Sequence, residues 1–284
     1  MQCQPTSIDM PERIVVIGDI HGDIKRLCEI LYHAKIITRD LSWISPNTVV
    51  VQLGDQVDSA IRSPLAEDWE EIPDVEVLKF TDYLDTIAQQ NGGRFLSCIG
   101  NHECMNLMGD FSYVSAKSLM LYNADMRKAG FRVKDGQFTK IIAKRNLVLR
   151  VGGYIFCHGG LLPQHLDITD NNLETINNTF RKFLLNGSVD AYREMKILDT
   201  LLGENGIVWT RFYASETPDT SAVINDVLAR TNSIGMIIGH CTVPIVTVLQ
   251  GRVLLADTGI SRSFGKSSYQ YIQIRGTNIE VVTI

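Results

Sequence analysis

The chain has 284 residues, with 27 Lys and Arg against 32 Asp and Glu, which gives a formal net charge of −5. Hydrophobic residues make up 45% and charged residues 21%, as in an ordinary globular protein, which excludes an intrinsically disordered chain or a collagen-like repeat. The acidic balance argues against a broad nucleic-acid-binding surface. No run approaches the roughly 20 apolar residues of a membrane-spanning helix, and no secretion signal is visible at the N-terminus. We therefore expect an intracellular, cytoplasmic protein that does not bind a membrane.

The internal organisation of the sequence favours a single domain over residues 1–284. The length permits one large domain or two small ones at roughly 150 residues each. No linker rich in Pro, Gly or Ser and no repeat of fixed period divides the chain. The six Cys form no CxxC pair, so we predict reduced thiols and no disulfide framework.

A short apolar run followed by glycine and polar residues recurs five times. Such runs are typical of buried strands, and their alternation with helical patterns predicts an α/β fold built in layers. The five runs are residues 13–17, 48–53, 94–99, 147–156 and 233–238.

The remaining segments have helical, loop or strand patterns. Apolar residues at helical spacing predict helices over 23–34, 77–88 and 219–231, and over 171–202 with a break near Asn186 and Gly187. Residues 60–73 are predicted as a loop that contains the acidic residues Glu67, Asp68, Glu70 and Glu71. The C-terminal part is predicted to form strands at 245–250, 252–256, 269–274 and 279–284.

Each of the five runs is followed by His, Asp or Asn. Because open α/β sheets have their binding sites at the carboxyl ends of strands, we expect these side chains to converge. Four of the six His of the chain are among them. Imidazole and carboxylate ligands without Cys suit a divalent ion such as Mn, Fe or Zn. The residues are Asp19, His21, Asp55, Asp58, Asn101, His102, His158 and His240.

Five ordered motifs resemble those of the calcineurin-like metallophosphoesterases. They are GDIHG at 18–22, GDQVD at 54–58, GNHE at 100–103, His158 in HGG, and His240 after a glycine. The resemblance spans about residues 14–265 and implies an α/β fold with a two-sheet β-sandwich flanked by helices. Within the phosphoprotein phosphatase branch, GNHECMNLMGDFSYV at 100–114, IVWTR at 207–211 and DTGIS at 257–261 are similar to segments of the Shewanella-like protein phosphatases.

The resemblance implies a dinuclear metal site. Asp19 and His21 would hold the first ion, and Asp55 would bridge both. The second ion would be held by Asn101, His158 and His240. Two divalent ions beside only two carboxylates keep a net positive charge, which attracts a phosphate dianion and stabilises its transition state. They also lower the pKa of a bound water, so that a bridging hydroxide can attack in line.

His102, paired with Asp58, would be the general acid, and Arg211 and Asn101 would bind the substrate phosphate. One position departs from the family pattern. Ser59 stands where the family usually has an arginine after the GDxxD motif, and a guanidinium binds phosphate through two parallel hydrogen bonds. Arg62, three residues further on, could bind the phosphate instead if the loop folds toward the site.

The sequence thus predicts a metal-dependent phosphatase that hydrolyses phosphomonoesters, with phosphoproteins as the expected substrates. Ser59 leaves two alternatives open: a symmetrical dinucleoside tetraphosphatase, which cleaves a phosphoanhydride, and a pseudophosphatase that binds phosphorylated partners without turnover. The 100–114 segment argues against the first alternative, and the complete set of implied ligands argues against the second. The sequence identifies no regulatory partner.

Overall fold

The computed structural model describes residues 2–66, 69–189 and 192–284, and within them two mixed β-sheets pack face to face. The first sheet combines three parallel strands with two antiparallel ones contributed by the C-terminal part of the chain. In spatial order it consists of β11 (Asn278–Thr283), β10 (Gln270–Arg275), β2 (Arg13–Ile17), β3 (Thr48–Gln52) and β4 (Arg94–Ser97).

The second sheet likewise contains three neighbouring parallel strands, here flanked by antiparallel and short edge strands. In spatial order it consists of β1 (Ser7–Ile8), β5 (Val148–Val151), β6 (Tyr154–Cys157), β7 (Gly235–Ile238), β9 (Val253–Leu255) and β8 (Thr247–Leu249).

Successive side chains of the central strands are buried on opposite faces of the sheet. In β2, Ile14 and Val16 belong to the core between the two sheets, whereas Val15 and Ile17 belong to the core shared with the helices. Successive side chains of a strand point to opposite faces, so a strand covered on both sides is apolar throughout. This explains the uninterrupted apolar runs of the sequence and confirms the predicted two-sheet sandwich flanked by helices.

Capping residues mark the ends of several helices. The Asp23 carboxylate accepts a hydrogen bond from the backbone N–H of Arg26 at the start of α1, and Gly187 ends α8 in a left-handed conformation with φ of 76°. Among the described residues, none of the helices is both long and apolar enough to cross a membrane. The helices are α1 (Ile24–His33), α2 (Glu76–Gln90), α3 (Asn101–Met108), α4 (Ala116–Leu121), α5 (Ala124–Gly130), α6 (Gln137–Ile142), α7 (Pro163–Asp167), α8 (Leu173–Asn186), α9 (Tyr192–Leu202) and α10 (Thr220–Arg230).

The predicted strand over 147–156 is wrong, because the segment forms the two antiparallel strands β5 and β6. Gly152 and Gly153 connect them, and Gly152 has a φ of 58°, which reverses the chain at a point that apolar content alone does not reveal. The short helices α3 to α6 and strand β1 were also not predicted, since segments this short carry little periodicity. The predicted loop over 60–73 is confirmed for its described residues. Glu67, Asp68 and residues 190–191 lie outside the described part of the chain.

Candidate active site

The carboxyl ends of three parallel strands from each sheet meet at one edge of the sandwich. The loops after β2, β3 and β4 carry the first three motifs, and those after β6 and β7 carry His158 and His240. The predicted convergence is therefore confirmed. A pocket of about 450 Å³ opens there. It is lined by Asp19, His21, Asp55, Arg62, Asn101, His102, Met105, Tyr113, Trp209, Arg211, His240, Thr242 and Asp257.

Asp55 lies at the centre of this site. Its Oδ2 is 3.2 Å from Nε2 of His158 and 3.7 Å from Nε2 of His102, and its Oδ1 accepts the backbone N–H of His102 over 2.9 Å. Burial would raise the pKa of Asp55, but the neighbouring imidazoles of His158 and His102 hold it well below its usual range. The Asp55 carboxylate is therefore ionised and faces both sides of the site.

The loop that carries Asp55 is braced by the buried carboxylate of Glu103. This carboxylate accepts backbone N–H bonds from Asp55, Gln56 and Gly100 over 3.1, 2.7 and 2.7 Å. Gly100 also permits a close approach, since a Cβ there would lie 2.2 Å from Oδ1 of Asp55. The glycine and glutamate of the GNHE motif thus hold the central carboxylate in position.

Four residues of the site have a backbone conformation in the left-handed region, with a positive φ. The φ angles are 39° for His21, 50° for Asp55, 72° for Asp58 and 65° for His240. Such conformations are costly for residues with a Cβ and persist where surrounding contacts impose them, often at functional sites.

Backbone carbonyls set the orientation of three imidazoles. Nδ1 of His21 donates to the carbonyl of Val57, and Nδ1 of His158 donates to that of Leu53. Nε2 of His240 donates to the carbonyl of Trp209. Because a carbonyl only accepts, the other nitrogen of each neutral ring keeps its lone pair free. A hydrogen bond of this kind is the usual support of a metal-binding imidazole.

Acceptor atoms crowd together around His158. Its Nε2 lies 3.2 Å from Oδ2 of Asp55 and 2.9 Å from Oδ1 of Asn101. Burial would lower the pKa of His158, but Asp55 more than offsets this and raises it. Burial together with the nearby Asp257 and Asp55 raises the pKa of Asp19 well above its usual value. Carboxylate, amide and imidazole groups of this kind are ligands for divalent ions.

Two groups of side chains have the geometry of a metal site. Within each, one ligand atom per residue lies within 4.8 Å of the others, and both groups include Asp55. The groups are His21, Asp55 and His102, and Asp55, His158 and His240. Burial lowers the pKa of His21 well below its usual value and that of His240 to about 3, so both rings are neutral, as metal ligands must be. The donor set fits the divalent ions predicted from the sequence.

His102 forms a second kind of contact through its other nitrogen. Nδ1 donates to Oδ2 of Asp58 over 2.8 Å, and Asp58 is completely buried behind the ring. Burial would lower the pKa of His102, but the carboxylates of Asp55 and Asp58 more than offset this and raise it. His102 lines the pocket, and its Nε2 lies 3.7 Å from Oδ2 of Asp55.

Two arginines line the pocket. The guanidinium of Arg62 lies between the rings of Tyr113 and Phe264, with its central carbon 5.5 and 5.4 Å from their centres. Its Nη2 donates to the carbonyl of Asp58 over 3.1 Å, while its buried Nε has no hydrogen-bond partner among the described residues. Arg211 is exposed at the rim, with Nη1 3.6 Å from Sγ of Cys241.

Some residues of the site were not predicted. Asp257 follows β9, so the pattern of polar residues at strand ends could have identified it. Tyr113 and Asn106 belong to the 100–114 segment, whose resemblance to a family assigns them no role. Asp74 and Arg127, which surround Asp58, carry no sequence signal that separates them from surface charges.

Comparisons with known proteins agree with this site. A model of the calcineurin-like phosphoesterases matches residues 12–240. "Shewanella-like protein phosphatase 1" of Plasmodium berghei (strain Anka) is 28% identical over 289 aligned residues, which cover 96% of this chain and 74% of the relative. "Shewanella-like protein phosphatase 2" of Arabidopsis thaliana is 27% identical over 328 aligned residues, covering 98% and 79%. The solved structure of a cold-active protein-tyrosine phosphatase of a psychrophilic Shewanella species superposes with a TM-score of 0.80 at 25% identity, covering 99% and 80%.

The family match extends over most of the chain and contains all five motifs, and the structural match covers both sheets. The predicted family, its fold and its enzyme class are thereby confirmed. The chain is a metal-dependent phosphatase that belongs to the calcineurin-like phosphoesterases, and its homologues are Shewanella-like protein phosphatases.

Proposed function

We propose that this phosphatase hydrolyses phosphomonoesters of proteins at a site for two divalent metal ions, Mn, Fe or Zn. The observation that carries the proposal is the central carboxylate of Asp55, which is shared by two groups of potential ligands and lies 3.2 Å from Nε2 of His158. The names of the relatives, which are protein phosphatases, support the substrate class.

Asp19 and His21 are proposed to hold one ion, Asp55 to contact both, and Asn101 with His158 and His240 to hold the other. Two divalent ions supply an activated water and neutralise the charge of the phosphate. Burial keeps His21 and His240 neutral, and their carbonyl contacts orient the rings so that the lone pairs already point into the site. This preorganisation lowers the cost of binding the ions.

His102 is proposed as the general acid. Asp58 accepts a hydrogen bond from Nδ1 of His102 and so fixes the ring, with Nε2 directed to the oxygen of the leaving group. Protonation of a leaving alkoxide by a positioned side chain contributes roughly 10²- to 10⁴-fold to the rate. Although His102 also falls within one potential metal group, its bond to Asp58 favours the proton-transfer role.

Arg211, Asn101 and Arg62 are proposed to bind the phosphate. Arg62 is the replacement for the missing arginine at position 59. The hydroxyl of Ser59 bonds to the carboxylate of Glu70, outside the pocket, whereas the guanidinium of Arg62 lines the pocket. Its position between two aromatic rings restricts its motion, which reduces the entropy lost on binding an oxyanion.

We also propose that residues 1–284 form one catalytic domain. Side chains of both sheets make up the core between them, and both sheets contribute residues to the pocket. A cut between the sheets would divide the core and the site.

The proposal is tested with metal-stripped protein, to which Mn²⁺ is returned, on p-nitrophenyl phosphate and on phosphopeptides. Mn²⁺ is expected to restore turnover of both. Asp55→Asn is expected to lose metal, measured by elemental analysis, and activity together. His102→Asn is expected to keep the metal and lose roughly 10²-fold or more in kcat on phosphopeptides. Asp40→Asn, an exposed aspartate, is the matched control and should behave as the wild type.

Two results would refute the proposal. If diadenosine tetraphosphate is cleaved much faster than any phosphomonoester, the enzyme is a dinucleoside tetraphosphatase. If phosphopeptide binds but no divalent ion produces turnover, the protein is a phosphoprotein-binding pseudophosphatase.

A further inference from the structure

Both oxygens of the Asp58 carboxylate accept hydrogen bonds from buried side chains. Oδ2 accepts from Nδ1 of His102 over 2.8 Å, and Oδ1 accepts from Nδ2 of Asn106 over 2.8 Å and from Nη2 of Arg127 over 2.9 Å. The backbone N–H of Asp58 donates to Oδ2 of Asp74 over 2.6 Å. The residue is thus held by both its side chain and its main chain, in the left-handed conformation described above.

Arg127 of α5 connects all of these contacts, and its side chain is completely buried. Nη1 and Nη2 donate to the two carboxylate oxygens of Asp74 over 2.6 and 2.9 Å, and Nε donates to Oδ1 of Asn106 over 2.6 Å. One planar guanidinium therefore contacts the carboxylate of Asp58, the amide that also binds it, and the carboxylate that holds its backbone.

We propose that Arg127 is a positioning residue for the phosphatase reaction: it orients Asp58 so that Asp58 in turn directs Nε2 of His102 to the leaving group. This inference rests on the proposed role of His102 as the general acid. Arg127 touches neither the pocket nor the substrate, because it is not among the pocket-lining residues and lies behind Asp58.

The arrangement requires an arginine. Its fork spreads three nitrogens over three separate acceptor residues in one plane, whereas the ammonium of lysine is a point charge on a flexible stem. A lysine at 127 would keep the buried positive charge but could not serve Asp58, Asp74 and Asn106 together. The Asp58 carboxylate would then be free to rotate, and the His102 ring would no longer be held in its orientation.

Misorientation of a general acid has a specific kinetic signature. Phenolate and serine alkoxide are poor leaving groups whose departure is strongly accelerated by protonation, whereas p-nitrophenolate is a stable anion that needs little help. Misorientation of His102 therefore slows the hydrolysis of phenyl phosphate and phosphoserine much more than the hydrolysis of p-nitrophenyl phosphate. It changes kcat rather than KM, because the phosphate contacts are unaffected.

The experiment compares Arg127→Lys and Arg127→Met with the wild type in the metal-loaded enzyme. For Arg127→Lys we expect kcat on phenyl phosphate to fall roughly tenfold or more, while kcat on p-nitrophenyl phosphate changes by less than about twofold and KM stays constant. Arg127→Met should give a larger split. Asn106→Ala removes the hydrogen bonds of Asn106 to Asp58, to Arg127 and to the carbonyl of His102 without removing a charge. It should give a smaller split, so the test stands even if Arg127→Met does not fold.

A matched control and a double mutant separate positioning from structural support. Arg94→Lys disturbs another bidentate pair, with Asp85, at the start of β4 and far from the pocket, and should leave the ratio of the two substrates unchanged. In a His102→Asn background, Arg127→Lys should cause no further loss of kcat, because the two residues act through one step.

The inference is overturned if Arg127→Lys slows both substrates by the same factor, or if its full effect persists without His102. Failure of the proposed function gives a different result. In that case His102→Asn itself does not discriminate between phenyl and p-nitrophenyl phosphate, whatever the Arg127 variants do.

Discussion

The side chain of Arg62 contacts the backbone of Asp58, four positions earlier in the chain: its Nη2 donates a 3.1 Å hydrogen bond to the carbonyl oxygen of Asp58. The loop between them is anchored by a hydrogen bond from the backbone N–H of Arg62 to the carbonyl of Ser263 over 2.9 Å. Ser59, which directly follows Asp58, points instead to Glu70. A guanidinium therefore reaches the pocket although the expected sequence position holds a serine.

This relationship predicts the effect of Arg62→Ala. Loss of one charge-assisted hydrogen bond to the phosphate costs about 1.5 kcal/mol, so KM for phosphate esters should rise about tenfold. Inhibition by inorganic phosphate should weaken to the same extent. Arg39→Ala, at an exposed arginine remote from the pocket, serves as the control. Unchanged KM and phosphate inhibition would remove Arg62 from the binding site.

Gly100→Ala should weaken metal binding by displacing Asp55, not by an unfavourable φ at position 100. Gly100 has a φ of −102°, which alanine adopts readily, but the added Cβ would lie 2.2 Å from Oδ1 and 2.3 Å from the backbone nitrogen of Asp55. Displacement of Asp55 is expected to lower metal affinity roughly 10- to 100-fold, measured by titration calorimetry. Gly153→Ala meets only the side chain of Ile234, at 3.0 Å, and should bind metal normally. Wild-type affinity in Gly100→Ala would contradict the central role of Asp55.

Glu103→Gln should destabilise the protein and impair metal binding together. Glutamine keeps only one acceptor oxygen, so its amide nitrogen would face either the N–H groups of Asp55 and Gly100 or that of Gln56, which then lose their acceptor. Leaving such groups unsatisfied costs about 1–3 kcal/mol of the free energy of unfolding, measured by urea denaturation. The control is Glu76→Gln, which breaks a surface pair with Lys79 and should cost less than about 1 kcal/mol. Equal effects of the two substitutions would show that Glu103 does not brace the loop.

The protonation of His165, a buried residue of α7, should make the folded protein less stable as the pH decreases. Burial lowers the pKa of His165 to about 4, and its Nδ1 accepts the backbone N–H of Leu162 over 3.0 Å. The unfolded state, with a His pKa of about 6.5, therefore binds a proton that the folded state refuses between about pH 6.5 and 4. Folding loses stability as the pH decreases through this window, by an amount on the order of 3 kcal/mol once the pH is below 4.

The measurement for this prediction is the free energy of unfolding of wild type and His165→Asn between pH 7.5 and 4. The wild type should lose more stability than the variant, because asparagine does not titrate. The difference between the two proteins is the informative quantity, since release of metal in acid affects both alike. His33→Gln, at an exposed histidine, should keep the wild-type slope. Parallel curves for wild type and His165→Asn would disprove the prediction.

The strands and the polar side chains that meet at the site could be predicted because their signals are local. The run Ile14–Val15–Val16–Ile17 is apolar at every position, as a strand buried on both faces must be, and it leads directly into Asp19 and His21. The types of ligand and their positions after glycines are legible without coordinates. The hairpin between β5 and β6 was missed because its glycine pair lies inside an otherwise continuous apolar run.

What the sequence determined by itself was the family, the two-sheet fold and the identity of the side chains that meet at one edge, because each depends on short patterns and on residue chemistry. Only the tertiary structure decided which charges act together. Arg127 is 53 residues from Asp74 and 69 from Asp58, and the turn of Arg62 toward the pocket depends on its contact with Ser263. Such contacts exist only after distant segments have closed on one another, and no local periodicity records which partner a buried charge will find.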